Sequence, residues 1–225
     1  KDFGWVDNYV DPKTDGSNSW ASIEKYFYEQ GYRAGDGSQN GQMLEMLLQS
    51  VAEKGKYDHD DLCSRMDKFL DTLDGTPYCG RWTSTAMRGL WHTRKGKGYA
   101  WDDPRIGSPA DPPCGAINSV ILAATYRDPL ELAKVVYQNT RIIFQDPMVI
   151  GYGICYALFL QGIINGQKLE DIPEYMSKLG DDPKLMEYVS QYDNFEKSGT
   201  AMNVAWNPQK YPVNPIDMVA VYGLS

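Results

Sequence analysis

Four Asp-Pro or Asn-Pro pairs, Asp128-Pro129, Asp146-Pro147, Asp182-Pro183 and Asn214-Pro215, each head a stretch with apolar residues at helical spacing. The side-chain oxygen before the proline accepts from the orphan N–H groups of a first helical turn. The proline at the next position has no N–H to lose there, and its fixed φ already suits a helix. In the middle of a sheet the same proline would remove a ladder donor. No run of alternating β-branched residues competes with these starts. The chain is therefore predicted to be all-α, and with no internal repeat it reads as one domain over residues 1–225.

The other elements follow from periodicity and punctuation. Asn18 or Ser19 caps a helix carrying Trp20, Ile23, Tyr26 and Phe27, which Gly31 stops. From Gly35 to Gly41 the chain is a polar, glycine-punctuated loop. It then becomes a helix with Met43, Leu44, Leu47, Leu48 and Val51 on one face and Gly55 as its stop. Asp58 or His59 opens the next helix, with Leu62, Met66, Phe69, Leu70 and Leu73 inward and Gly75 at its end. Trp82 to Thr93 reads as one amphipathic helix. Lys95 to Pro113 is the longest irregular segment, pinned by Tyr99, Trp101 and Ile106. Gly115 to Tyr126 and Met148 to Asn165 read as mostly apolar helices, and Gly151, Gly153 and Ala157 let neighbours approach the second one closely. Between them, Asp128 and Glu131 form a pair like a capping box. The stripe of Ile216, Met218, Val219, Val221, Tyr222 and Leu224 is predicted to need a partner, or further chain, to cover it.

Composition closes off several classes of function. A net charge of −8 offers nothing for nucleic-acid phosphates. The longest apolar run, Met148 to Ile164, is broken by Gly151, Gly153, Gln161 and Gly162, so no membrane span is expected. Cys63, Cys79, Cys114 and Cys155 are far apart, and with only two histidines, His59 and His92, a zinc site is not expected. With neither a targeting segment nor an N-x-Ser/Thr acceptor, the expected setting is the reducing cytoplasm.

Asp36, Ser38, Gln39 and Asn40 gather where a loop meets a helix N-terminus, which favours anions or ligand oxygens. The stretch reads either as a ligand site or as an ordinary loop capped by Ser38 or Asn40. No Lys-Ser/Thr follows the glycines as a phosphate-binding P-loop requires, and no strand precedes them as a dinucleotide fingerprint requires. Asp102, Asp103 and Asp111 in the long irregular segment are either paired acids for glycosidic chemistry or solvated loop acids. Cys114, beside Gly115 at a predicted helix start, has no basic partner nearby in sequence and reads as buried and inert. His59, beside Asp58, Asp60 and Asp61, reads as part of a solvated first turn, and Asp146 as a cap.

The order of these motifs resembles the ADP-ribosylglycohydrolase family, which includes dinitrogenase reductase-activating glycohydrolase and the J1-crystallins. The resemblance runs roughly from Tyr32 to Gly166. The family's Thr-Asp-Asp-Thr-Gln-Met signature corresponds to Ser38-Gln39-Asn40-Gly41-Gln42-Met43, and its aspartate-rich helix opening to Tyr57-Asp58-His59-Asp60-Asp61-Leu62. Its small-residue loop entering an apolar helix corresponds to Pro112 to Asp128, and its Thr-His-x-Asp-Pro segment to Ile143-Phe144-Gln145-Asp146-Pro147.

The resemblance implies an orthogonal all-α bundle with a two-magnesium cleft that hydrolyses the bond between ADP-ribose and a protein side chain. It also implies that Asp36, Ser38, Gln39, Asn40, Cys114, Gly115 and Asn118 border a ligand. Gln39 and Asn40 stand where the family has two magnesium-binding aspartates, Asn118 falls near its arginine, and Phe144 falls on its histidine. The family's opening glycine-rich helix and its Gly-Gly-Asp-x-Asp-Thr segment have no counterpart, so the chain is expected to be incomplete at both ends relative to the family.

Magnesium is a hard cation that asks for anionic oxygen, and an amide supplies only a dipole. The expectation is a protein with a degenerate metal site at Ser38, Gln39 and Asn40 and with no cofactor, in a structural or ligand-binding role and open to an ADP-ribose-like molecule. Two alternatives stand beside it. One is an active magnesium-dependent hydrolase of a divergent branch, using Asp36, Asp102, Asp103 or Asp111. The other is a non-catalytic subunit of a larger assembly.

Overall fold

The computed structural model describes residues 37–76, 83–109 and 118–185, and within them the protein is all-α. The helices are α1 (Gln39–Lys54), α2 (His59–Leu70), α3 (Thr85–Trp91), α4 (Ser119–Thr125), α5 (Pro129–Arg141), α6 (Pro147–Ile164) and α7 (Ile172–Gly180). A π-helical turn, His92–Gly96, extends α3, and a 3-10 turn, Leu169–Asp171, leads into α7. The predicted helix from Asn18 or Ser19, the Asn214-Pro215 start and the C-terminal apolar stripe lie outside the described residues.

At the centre is α6, packed along α5 and α4 with α7 against its end. Val149, Ile150, Ile154 and Leu158 are buried, each contributing about 1.5–3 kcal/mol by leaving water, and Ala157 is buried among them. Gly151 and Gly153 are buried too. The Ser119 hydroxyl of α4 reaches the backbone and donates to the Gly153 carbonyl at 3.1 Å.

Local capping sets the helix starts. Asp58 accepts from the Asp61 N–H at 2.9 Å, and Asp128 accepts from the Glu131 N–H at 2.8 Å. Asp146 accepts more loosely from the Val149 N–H, at 3.3 Å. Gly55 ends α1 in the left-handed conformation at φ 73°, its N–H returning 2.8 Å to the Val51 carbonyl.

Three expected boundaries move. Ser38 accepts from the Gly41 N–H at 3.2 Å, so α1 begins at Gln39 and takes the polar Gln39-Asn40-Gly41 run into its first turn. In the apolar stripe of α1, Leu48 is 54% exposed and Ser50 occupies the buried position instead. Of the stretch predicted as one helix from Trp82 to Thr93, Trp82 lies outside the described residues and the rest holds α3 followed by the start of the π turn, and α2 stops at Leu70 rather than at Gly75.

The irregular segment after the π turn is tied at both ends. The Asp67 carboxylate of α2 accepts from Arg94 Nε at 2.9 Å, from Arg94 Nη2 at 2.7 Å and from Trp101 Nε1 at 2.9 Å. Arg94 Nη1 donates to the Tyr99 carbonyl at 2.8 Å, and Ile106 is buried. At the far end Ser108 forms an isolated parallel bridge with Phe144. Ser108 N–H donates to the Ile143 carbonyl at 2.7 Å, and Gln145 N–H to the Ser108 carbonyl at 2.8 Å. Gly89 makes this approach possible, because a Cβ there would sit 2.4 Å from Ser108 Oγ.

Candidate functional site

A small cleft opens at the N-terminus of α1. Gln39 and Asn40 come from the first turn of α1, with Met43 one turn on. Ser84, Ala86 and Met87 belong to the start of α3, and Asn118 precedes α4. Asn139 and Thr140 form the last turn of α5, and Ile143 and Phe144 follow it. The centre of a water-sized sphere can move through only about 20 Å³ here, which is room for roughly one water or one polar group of a ligand.

Gln39 is 8% exposed, and both ends of its amide are occupied. Its Oε1 accepts from the Ser84 N–H at 3.0 Å, and its Nε2 donates to Ser84 Oγ at 3.0 Å. The same Ser84 Oγ caps α3 by accepting from the Met87 N–H at 3.1 Å. A glutamine can make both bonds at once; a carboxylate has no N–H to give. Two helix N-termini are thereby joined across 45 residues of sequence.

Opposite this clamp, Asn139 is 5% and Thr140 2% exposed. The Thr140 hydroxyl oxygen is buried without a hydrogen-bond partner. Among the described residues that line the cleft, every polar side chain is an amide or a hydroxyl, and none is ionisable. Among the described residues no group of three or more His, Cys, Asp or Glu is placed to hold a metal ion. The described donor set does not fit magnesium: among the described lining residues there is no anionic oxygen, and the Gln39 carbonyl oxygen already receives an N–H.

The structure brings Gln39, Asn40, Asn118 and Phe144 to one cleft. Ser38 is exposed, caps α1 and stands outside the cleft's lining. Asp36, Asp111, Cys114 and Gly115 lie outside the described residues. Asp102 is exposed, and neither it nor Asp103 lines the cleft. Asp103 accepts from Arg105 Nε at 2.9 Å and Nη2 at 2.6 Å, and this guanidinium holds its carboxyl down at about 2. A carboxyl held so low is no proton donor at neutral pH.

His59 is half-buried rather than solvated. Its Nδ1 lies 3.2 Å from Tyr57 Oη and its Nε2 3.5 Å from Cys63 Sγ. Burial pushes the Cys63 thiol up to about 12, with Asp60 and Asp67 adding to the effect, so this Cys–His contact carries no thiolate. His92 is exposed, its ring edge-on to Trp91 with centroids 5.4 Å apart.

Sequence reasoning missed Ser84, Asn139 and Thr140. A signal for the last two was present. In α5 the buried stripe of Leu132 and Val136 continues one turn later onto Asn139 and Thr140, polar residues where an apolar pair would pack. Ser84 carries only the ordinary mark of an N-cap.

The profile of one family, described as ADP-ribosylglycohydrolase, matches residues 9–216. No curated protein and no solved structure matches the chain. The profile spans nearly all of the sequence, including every described element, and the helical architecture agrees with it: the chain belongs to the ADP-ribosylglycohydrolase family.

Proposed function

We propose that this family member binds a small ligand in the cleft at the head of α1 and does not carry out metal-dependent hydrolysis. The observation that carries the reading is the engagement of Gln39. Both ends of its amide are committed to Ser84, so the position the family resemblance assigns to a magnesium-binding aspartate is occupied by a structural clamp. Asn40 beside it brings a dipole rather than a charge, and Phe144 stands where the resemblance expects a histidine. An ADP-ribose-like molecule remains the ligand class that family membership favours. Its binding here would rest on amides, hydroxyls and the N–H groups of a helix start.

The test is calorimetric titration with ADP-ribose, with magnesium present and with EDTA, alongside a release assay on an ADP-ribosylated protein. Equal affinity under both conditions and no release fit the reading. Magnesium-dependent release of ADP-ribose would overturn it. Among the described residues no helix is long and apolar enough to cross a membrane.

A further inference from the structure

We propose that Asn165-Gly166, at the end of α6, is a site of self-modification, where the Asn165 amide is lost through a cyclic imide and replaced by a carboxylate that pairs with Arg127. None of these residues lines the cleft, and the proposal does not depend on what binds there.

The chemistry needs only the side chain and the residue after it. The Gly166 nitrogen attacks the Asn165 side-chain carbonyl carbon and gives up its proton. The amide nitrogen takes up a proton and leaves as ammonia, and the cyclic imide closes. Water then opens the ring at either carbonyl. One opening leaves an aspartate; the other leaves an isoaspartate, with the chain rerouted through the side-chain carbon. Water is the sole co-reactant, and nothing is oxidised or reduced. Glycine hinders the attack least, because it has no Cβ to crowd the nitrogen and its backbone turns freely.

The sequence holds two Asn-Gly pairs, Asn40-Gly41 and Asn165-Gly166, and the fold treats them differently. Attack requires ψ of the asparagine to rotate until the next nitrogen faces the side chain. At Asn40 that rotation would undo a helix start anchored on both sides. Ser38 Oγ accepts from the Gly41 N–H at 3.2 Å, and the Gln42 N–H reaches the Ser38 carbonyl at 2.8 Å. Gln39, the preceding residue, is tied to Ser84 by two bonds of 3.0 Å. Asn165 instead follows the last residue of α6, and both it and Gly166, at φ 93°, are exposed. There the rotation breaks the two bonds of the helix end. These run from the Gly166 N–H to the Ile163 carbonyl at 3.0 Å and from the Gln167 N–H to the Gly162 carbonyl at 2.9 Å. Helix ends fray, and water takes over exposed bonds of this kind at about 0.5–1.5 kcal/mol each.

Arg127 supplies the electrostatics. From the turn between α4 and α5 its Nη1 donates to Asn165 Oδ1 at 2.7 Å. A guanidinium on that oxygen draws charge from the carbonyl carbon and stabilises the negative charge that grows on the oxygen during attack. It then holds the product carboxylate as an ion pair, where before it held a neutral amide.

The test holds the full chain at physiological temperature for some weeks, at pH 7 and at pH 8. Peptide mapping by mass spectrometry follows it, with fragmentation that separates aspartate from isoaspartate. Asn165 should convert to a mixture of the two, faster at pH 8 because the attacking nitrogen must shed its proton, while Asn40 keeps its amide over the same period. Asn165→Gln, whose longer side chain closes a less favourable ring, should stop the conversion at 165. Arg127→Gln should slow it about two- to tenfold, the size of one exposed hydrogen bond. In urea, where the fold no longer distinguishes them, the two pairs should convert at similar rates.

The proposal is overturned if Asn165 keeps its amide, if Asn40 converts as fast in the native protein, or if the product at 165 holds no isoaspartate. It is also overturned if Arg127→Gln leaves the rate unchanged or raises it. A slower Asn40 in urea as well would place the contrast in the neighbouring sequence and defeat the structural argument.

Discussion

Replacing Gly89 by alanine sets a gain in helix propensity against a collision. Gly89 lies inside α3, where alanine gains about 1 kcal/mol over glycine. The added Cβ would meet Ser108 Oγ at 2.4 Å, Ser108 Cβ at 2.6 Å and Ser108 Cα at 3.1 Å. Turning the Ser108 hydroxyl away relieves the first contact only. Carbon atoms pack at about 3.5–4.0 Å, so the backbone of Ser108 must retreat by about 1 Å. That backbone is held on both sides, by its N–H to Ile143 at 2.7 Å and its carbonyl to Gln145 N–H at 2.8 Å.

Overpacking of this kind costs about 1–3 kcal/mol, and the upper end applies because the obstruction is backbone rather than a flexible side chain. Less the propensity gain, the net loss is about 2 kcal/mol, a fall of about 4–8 °C in melting temperature for a chain of this length. Phe144 shares the bridge and lines the cleft, so ligand binding should weaken as well. Thermal unfolding followed by circular dichroism measures the first effect. Gly41→Ala is the control: its Cβ would meet nothing nearer than Ser38 Oγ at 3.6 Å, and it should be neutral or slightly stabilising. Adding Ser108→Gly to Gly89→Ala should recover part of the loss, giving a coupling of about 1 kcal/mol or more. If Gly89→Ala melts at or above the unmodified protein, the close approach of α3 to the Ser108 bridge is not rigid and the reasoning fails.

Asp67 and Cys63 offer two further expectations. The Arg94 guanidinium holds the Asp67 carboxyl at about 2, below the unfolded value of about 3.9, so this carboxylate stabilises the fold above pH 4 and the benefit drains away as pH falls from about 4 towards 2. Asp67→Asn should therefore lower stability at pH 7 and close the gap to the parent protein near pH 2–3, as urea titrations read by tryptophan fluorescence would reveal; a gap independent of pH refutes the assignment. Cys63, with its thiol pushed up to about 12, should resist iodoacetamide at pH 8 in the native state and react in urea, by peptide mapping; native labelling at the rate of a free thiol contradicts the burial described here.

What could be read from the sequence was what is local. Asp58, Asp128 and Asp146 cap the helices they precede, and Gly55 ends α1, because each of these contacts spans only three or four residues. The pinning of the long irregular segment by Tyr99, Trp101 and Ile106 was readable too, since large apolar side chains in a loop must go somewhere. The boundaries that moved did so for reasons outside local pattern. Leu48 fits the helical stripe, yet nothing in the spacing says how wide a strip of α1 the rest of the core covers.

The cleft was half readable. Gln39, Asn40 and Asn118 were singled out by their correspondence to the family's positions. What Gln39 does there was not, because its partner Ser84 is 45 residues away and contacts across that distance leave no periodic trace. His59 and Cys63 were four residues apart on one helix face, a spacing that does foretell contact. The crowd of aspartates around His59 pointed the other way.

The pair of hydrogen bonds between Gln39 and Ser84 also governs how easily the site can be re-engineered. An aspartate at 39 is one methylene shorter and has no N–H to give, so the bond from Nε2 to Ser84 Oγ would be lost and the Ser84 N–H would find its acceptor farther away. Each single step toward a carboxylate cage passes first through a loosened α3. A carboxylate at 39 therefore calls for a matching change at 84 if the two helix starts are to stay joined.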